Sequence, residues 1–112
     1  MSEINLPEVV FIKSGKVYKQ IKIDEVLYIF AEGNYTTFFT SSGKHVAKIS
    51  LRQVGEIISS GTFIRVHRNY MVCIDKIEKI DVQNNKIHLA ERIIPIGKSF
   101  KKDLLEQIRI LG

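Results

Sequence analysis

The segment from Phe63 to Val72 carries the densest set of side chains that could do chemistry. Between its apolar ends lie two guanidinium groups, an imidazole and an amide, from Arg65, His67, Arg68 and Asn69. An Arg side chain can direct two donors at a phosphate or at the acceptor edge of guanine, and an Asn amide can pair with adenine. Because apolar runs of this kind are typical of buried strands, the polar cluster is expected at an exposed turn suited to contacting a nucleic acid.

The same residues have a structural interpretation that the sequence leaves open. Arg65 could pair with a carboxylate such as Glu32 or Asp75, and His67 could fill a hydrogen-bonded corner. For Arg68 and Asn69 we favour the binding interpretation over the structural one.

A second cluster, Gly97 to Lys102, follows an apolar run and opens a segment with helical spacing. Its candidate binding residues are Lys98, Ser99, Lys101 and Lys102. The unpaired N–H groups of a helix N-terminus are partly positive, so lysines placed there favour an anion such as phosphate. The alternative is a solvated helix face on which Lys101 and Lys102 pair with Asp103 and Glu106.

A third candidate is the turn Glu32-Gly33-Asn34-Tyr35 between two runs rich in Tyr and Phe. Asn34 could serve the turn itself by taking a left-handed conformation. The other interpretation is that the turn presents Asn34 and Tyr35 to a partner.

Enzyme and metal chemistry find little support in the sequence. The three histidines and Cys73 lack the short ligand spacings of zinc motifs, and Cys73 lies in an apolar run that predicts a buried thiol. Gly97-Lys98-Ser99 resembles the end of a nucleotide-binding P-loop, but Arg92 stands where the first glycine belongs. We therefore predict no catalytic residues, no metal and no cofactor.

The elements that must position these clusters are mostly strands. Turn signals separate short β-rich runs, which are Val9–Ile12, Val17–Ile21, Val26–Ala31, Tyr35–Thr40, His45–Ile49, Phe63–Val66, Met71–Ile74, Ile77–Val82, Lys86–Leu89 and Ile93–Ile96. Sequential runs joined by Gly-containing turns pair antiparallel, so the pattern predicts a meander.

Two helices interrupt the strands. Ser50 and Gln53 form a capping-box pattern, followed by apolar residues at helical spacing until Gly61. A second helix is predicted from Ser99 to the C-terminus, with Phe100, Leu104 and Ile108 on one face.

Length, composition and charge limit the classes of protein to which the chain can belong. Its 112 residues suit one domain, and its apolar runs fall well short of the roughly 20 residues needed to cross a bilayer. A single cysteine fits a reducing cytoplasm. The net charge is +5, and most of the excess lies in residues 61–112, where ten Lys or Arg face six Asp or Glu. This surplus points modestly towards a polyanionic partner.

Together these motifs carry a family likeness. The run Asp24–Tyr35, the pair Ser50-Leu51, the run Phe63–Val72 and the run Ile94–Ser99 resemble the LytTR DNA-binding domain, a likeness that extends over most of residues 9–111. The segment Phe63–Val72 is the most specific part of it.

The resemblance implies a mostly β, elongated fold of about ten mainly antiparallel strands in three small sheets, with two short peripheral helices. It implies a bacterial transcription regulator that places loop residues in successive major grooves of double-stranded DNA. By position, Arg68 and Asn69 match the central base-reading loop, Asn34 and Tyr35 match the outer turn, and Lys98 matches the basic residue after the last strand. His67, Ser99, Lys101 and Lys102 match positions facing the DNA backbone.

The resemblance also implies partners. Such domains commonly follow a receiver domain in two-component systems and bind repeated half-sites as pairs, so residues 1–8 are interpreted as a linker remnant and residues 9–112 as the DNA-binding domain. Two other functions remain open: a protein-interaction module that uses β edges or aromatic turns, and single-strand binding through Tyr35, Phe38 and Phe39.

Overall fold

Short β-rich runs separated by tight turns fold into ten strands in the computed structural model, which describes residues 8–58 and 61–112. The strands are β1 (Val9–Ser14), β2 (Val17–Lys22), β3 (Val26–Glu32), β4 (Tyr35–Thr40), β5 (Gly43–Ala47), β6 (Phe63–His67), β7 (Tyr70–Cys73), β8 (Lys79–Asp81), β9 (Lys86–Leu89) and β10 (Arg92–Pro95). The predicted linker lies outside the described residues except for Glu8, whose carbonyl oxygen accepts a hydrogen bond from Ile23.

The strands form three antiparallel sheets, which confirms the predicted fold class. β1 and β2 form a hairpin, β8 to β10 form a three-stranded meander, and the central sheet has the order β5-β4-β3-β7-β6. The radius of gyration is 14.7 Å. A compact sphere-like chain of this length would have about 13 Å, so the shape of the domain departs from a sphere.

Both faces of the central sheet are buried because its strands alternate between two cores. Ile29 and Phe38 pack with the β1–β2 hairpin and the first helix. Tyr28 and Val72 face the other way and pack against the three-stranded meander and the second helix. Adjacent residues of a strand point to opposite faces, so the sheet is the rigid middle layer of the domain.

The first helix, α1 (Leu51–Ile57), begins with the predicted capping box. The Gln53 backbone N–H donates to Ser50 Oγ over 3.1 Å, and the Ser50 N–H donates to Gln53 Oε1 over 3.1 Å. The helix ends earlier than expected, since Ile58 is already extended.

The second helix, α2 (Lys101–Gln107), follows a 3-10 turn at Lys98–Phe100. The prediction that it continues to the C-terminus was wrong, because Ile108 is extended. Leu104 is fully buried, whereas Leu111 is 96% exposed. Short helices depend on packing, and the last residues have nothing to pack against.

The end of β5 differs from the prediction and changes the position of Lys48. β5 was expected at His45–Ile49, but its pairing with β4 ends at Thr36 and Ala47. Beyond it, the Thr36 hydroxyl donates to the carbonyl oxygen of Ile49 at 2.5 Å. Lys48 therefore lies in the connection to α1 and not within the strand.

None of the helices in the described ranges is long and apolar enough to cross a membrane.

Candidate nucleic-acid interface

Two of the predicted binding turns lie side by side at one end of the central sheet. β3 runs antiparallel to β7 with Phe30 opposite Tyr70, so the last residues of β3 neighbour the first residues of β7. The Ala31 N–H donates to the carbonyl oxygen of Asn69 over 2.9 Å and ties the two ends together. The Gly33-Asn34 turn and the Arg68-Asn69 turn therefore project from the same end.

The third cluster reaches that end through a loop that runs along β6. The Gly97 N–H donates to the carbonyl oxygen of Val66 over 2.7 Å. A Cβ on Gly97 would lie 3.4 Å from His67 Cα and 2.9 Å from Phe100 Cδ2. Gly97 has ordinary extended backbone (φ −69°), so it is needed for space and not for conformation. Its close approach places Lys98 beside the Arg68 turn.

The Arg68 turn joins β6 to β7 through two residues, with His67 opposite Tyr70. A register shift between Arg65 and His67 marks a bulge in β6. Bulges redirect side chains and are frequent beside functional sites. Arg68 is exposed, whereas Asn69 is half-buried.

His67 shapes this turn from within. Its Nδ1 accepts a hydrogen bond from the Asn69 N–H over 3.0 Å. A ring that accepts at Nδ1 carries its proton on Nε2, so the neutral imidazole presents one donor away from the turn. The predicted hydrogen-bonded corner therefore exists and leaves Nε2 available to a second partner.

Arg65 braces the same turn. Its Nη2 donates to the carbonyl oxygen of Arg68, and its guanidinium carbon lies 5.9 Å from the centre of the Phe100 ring. Cation–π contacts occur at such distances. Within the described residues the pairing of Arg65 with Glu32 or Asp75 that the sequence left open does not form. The buried Nε has no hydrogen-bond partner.

Aromatic rings support the turn from beneath. The Tyr70 ring lies 5.6 Å from His67 in an edge contact and 4.8 Å from Phe30. Tyr28 stacks on Phe39 with ring centres 4.4 Å apart. Edge-to-face and offset pairs of this kind add to the energy of burial and hold the rings in place. The turn therefore stands on a packed base.

Burial of Tyr28 raises the pKa of its phenol, and the nearby Arg92 partly opposes this change. At the remote β8–β9 turn, the Asn84 side-chain hydrogen bond lowers the pKa of Asp81, assisted by the Asn84 backbone N–H. Neither group lies in the three predicted binding turns.

The structure of the Asn34 turn bears on one of the two interpretations that the sequence left open. Glu32 pairs with Tyr35, which leaves Gly33 and Asn34 as a two-residue turn. Gly33 takes the left-handed conformation, with φ +60°, and Asn34 does not. The left-handed conformation that the sequence left open for Asn34 is therefore taken by the preceding glycine, which adopts it at no steric cost. Asn34 is exposed, and Tyr35 is 56% exposed.

The lysines of the third cluster are not equivalent. Lys98, Ser99 and Lys102 are exposed, whereas Lys101 is half-buried and its Nζ donates to the carbonyl oxygen of Val82 over 2.7 Å. In the part of the chain that the structure describes, neither Lys101 nor Lys102 forms an ion pair with Asp103 or Glu106. Lys98, Lys101 and Lys102 line one open hollow beside Leu105 and Glu106.

The remaining chemical candidates take structural positions. Cys73 is buried as predicted, and its thiol lies 3.9 Å from the Thr62 hydroxyl. Among the residues described, no cluster of His, Cys, Asp or Glu could hold a metal ion. Phe38 is buried in the first core, and Phe39 packs against the second, so neither offers an open stacking surface.

Two residues near this end of the sheet were misinterpreted in the sequence. Lys48 was placed inside a strand, although the capping residue Ser50 marks the preceding residues as a connection. Arg65 was considered for partners distant in sequence, but its partner is three residues away. No local pattern predicts the Gly97 contact, because it depends on how β10 passes β6.

Comparisons with known proteins agree with this fold. A model of the LytTr DNA-binding domain family matches residues 16–109. A solved structure, the LytTr DNA-binding domain of a protein described as a methyl-accepting/DNA response regulator from Bacillus cereus, is similar with a TM-score of 0.76. That similarity covers 88% of this chain and 94% of the other at 20% sequence identity. A search of curated proteins found no match.

Proposed function

This chain belongs to the LytTr DNA-binding domain family, and on that premise we propose that it binds specific sequences of double-stranded DNA as the output domain of a bacterial transcriptional regulator. The proposed activity is binding without catalysis. It needs no cofactor.

One observation carries the proposal: three separate turns bearing amide, guanidinium and ammonium groups project from one end of a rigid sheet. Neighbouring strands lie about 4.8 Å apart, so turns on successive strand pairs form a row at a spacing of roughly 10 Å. A duplex offers phosphates and base edges along a line, and a row of donors on a fixed support can follow it.

The roles divide by exposure and by donor geometry. The Arg68 backbone carbonyl accepts a hydrogen bond from Arg65, which holds the tip of the turn in place. The Arg68 side chain is proposed to read bases in the major groove. Asn69 and the Asn34-Tyr35 turn are proposed to contact bases on either side. Arg68 is the centre of this row, and specificity is expected to concentrate there.

Other residues are proposed to position the protein on phosphates. These residues are His67, Lys98, Ser99, Lys101 and Lys102. His67 would donate through Nε2, because its Nδ1 is already occupied by the Asn69 N–H. Lys101 would have to divide its donors between a phosphate and the Val82 carbonyl, so Lys102 and Lys98 are the stronger candidates.

The proposed partners follow from this role. DNA binding places the protein in the bacterial cytoplasm, and an N-terminal receiver domain with pairing on repeated half-sites would suit a two-component regulator.

Selection of bound duplexes from a random pool, followed by mobility shifts at several salt concentrations, tests the proposal. About four phosphate contacts would give a slope near −3.6 in log affinity against log salt, roughly a 100-fold loss between 50 and 200 mM. An enriched motif with such a slope supports the function. A pool with no enriched motif contradicts it, and so does an affinity that does not change with salt concentration.

A second candidate function is protein binding, favoured by one apolar surface. The outer face of β1 and the end of α1 expose Phe11 and Ile57 to 60% and 57%, beside a groove of about 320 Å³. Exposed apolar patches of this kind often mark interaction sites. The salt series distinguishes the two functions, since an apolar interface hardly responds to ionic strength.

A further inference from the structure

A fourth chain segment reaches the same end of the central sheet as the three binding turns. β5 runs antiparallel to β4, and Ala47, its last residue, lies opposite Thr36 near the start of β4. The Asn34 turn immediately precedes β4. Lys48 and the residues that follow it therefore emerge beside Asn34, on the side away from Arg68.

The Lys48 segment is held in place on both sides. Thr36 is completely buried, and its hydroxyl donates to the carbonyl oxygen of Ile49. Ser50 and Gln53 exchange hydrogen bonds that fix the start of α1. Because the residues around Lys48 are anchored to β4 and to α1, its backbone is held on both sides.

Lys48 and Asn34 line one shallow concavity of about 240 Å³, together with Gly33, Ile49, Ser50 and Gln53. Lys48 is exposed, and no carboxylate in the described part of the chain lies within ion-pair distance of it. The lining includes no acidic residue, although the exposed Glu32 lies across the Gly33-Asn34 turn. An exposed ammonium beside a proposed base-contacting turn suits a phosphate.

We propose that Lys48 contacts a backbone phosphate at the outer end of the DNA site, beyond the Asn34 turn. This inference rests on the proposed DNA-binding function. The order across the sheet then becomes Lys98, Arg68, Asn34 and Lys48, following the strand order β6-β7-β3-β4-β5. Four strand spacings of about 4.8 Å give a row of roughly 20 Å, close to six base pairs of duplex at 3.4 Å each.

The test compares Lys48→Gln with Lys44→Gln. Both lysines are exposed, both belong to or directly follow β5, and both changes remove one positive charge. Lys44 lies opposite Phe39 near the other end of the strand, so it serves as a matched control. Thermal melting of both variants, measured first, confirms that the fold is kept.

Mobility shifts on the enriched duplex and on a scrambled duplex are then measured across a salt series. We expect Lys48→Gln to weaken binding about 3- to 10-fold on all sequences and to flatten the salt slope by about one unit, while Lys44→Gln changes neither. For Lys48→Gln, ethylation of one phosphate at the Asn34 end of the site should no longer interfere with binding.

The outcomes separate this inference from the function on which it rests. If Lys48→Gln behaves like Lys44→Gln while Arg68→Ala still relaxes the preference at one base pair, the Lys48 contact is wrong and the DNA-binding function stands. If the unmodified protein binds no sequence preferentially, the function itself fails.

Discussion

The Arg65 guanidinium donates to the backbone carbonyl of Arg68, so the first arginine of the β6–β7 hairpin supports the second. Arg65 also lies over the Phe100 ring, which follows the Lys98 loop. One side chain thus contacts two of the three candidate binding segments. Two arginines that look equivalent in the sequence have different tasks, since Arg68 is exposed and Arg65 is half-buried.

Replacing Arg68 with Ala should cost about 1–3 kcal/mol of binding free energy on the preferred duplex and relax the preference at one base pair. The fold should be unaffected, because Arg68 is exposed and its structural contact is made by the backbone carbonyl. Mobility shifts with preferred and scrambled duplexes check the result. An equal loss on both duplexes would show that Arg68 contacts only the DNA backbone.

Replacing Arg65 with Met keeps the apolar stem and removes the donor to Arg68. We expect the free energy of unfolding to fall by about 1 kcal/mol, since a charged donor to a partly exposed carbonyl is lost. Binding to the preferred duplex should weaken while the salt slope stays unchanged, which affinity measurements across a salt series detect. A salt slope flattened by about one unit would instead mean that Arg65 contacts a phosphate directly.

Replacing Gly97 with Ala should destabilise the protein by about 1–3 kcal/mol, because the added methyl meets the Phe100 ring at 2.9 Å. The same shift should move Lys98 away from the Arg68 turn and weaken DNA binding. Chemical denaturation measures the first effect and mobility shifts the second. Gly61→Ala is the control, since a Cβ there meets nothing within 4 Å; comparable losses from both changes would argue against the close approach.

Lys102→Ala and Lys101→Ala should differ although the two residues are adjacent. Lys102 is exposed, so its loss should flatten the salt slope by about one unit and leave stability unchanged. Lys101→Ala also breaks the bond to the Val82 carbonyl, so a lower melting temperature is expected as well. Salt titrations combined with thermal melts distinguish the pair, and identical melts for both variants would count against the Val82 contact.

The β9–β10 turn offers a stability test away from the binding turns. Its two central residues, Ala90 and Glu91, both have positive φ, at 48° and 61°. A left-handed conformation costs a non-glycine residue roughly 1–2 kcal/mol, and glycine regains part of this after its larger entropy loss. Glu91→Gly should therefore raise the free energy of unfolding by about 1 kcal/mol. Gly15→Ala, at φ +63°, should lower the free energy of unfolding by a similar amount. If the denaturation curves of both variants shifted in the same direction, this explanation would be contradicted.

Much of the architecture can be predicted from local sequence. Alternating β-rich runs and Gly-containing turns determine the hairpins, and Ser50 with Gln53 determines the start of α1, because these signals act over a few residues. The ends of elements were less predictable. α2 ends before Ile108 and β5 ends at Ala47, since packing and pairing with other segments decide where an element stops.

The candidate binding residues were identified from their types and from the family resemblance, which also implied that their loops follow a duplex, but the contacts that bring the loops together were not predicted. By itself the sequence determined that Arg68, Asn34 and Lys98 lie in turns of a β domain, because residue type and spacing specify turns locally. Only the tertiary structure decided that these turns share one end of a sheet, that Arg65 is a brace and that Lys48 joins the row. Those facts depend on the strand order and on hydrogen bonds between distant segments, such as Gly97 to Val66, which no short stretch of sequence encodes.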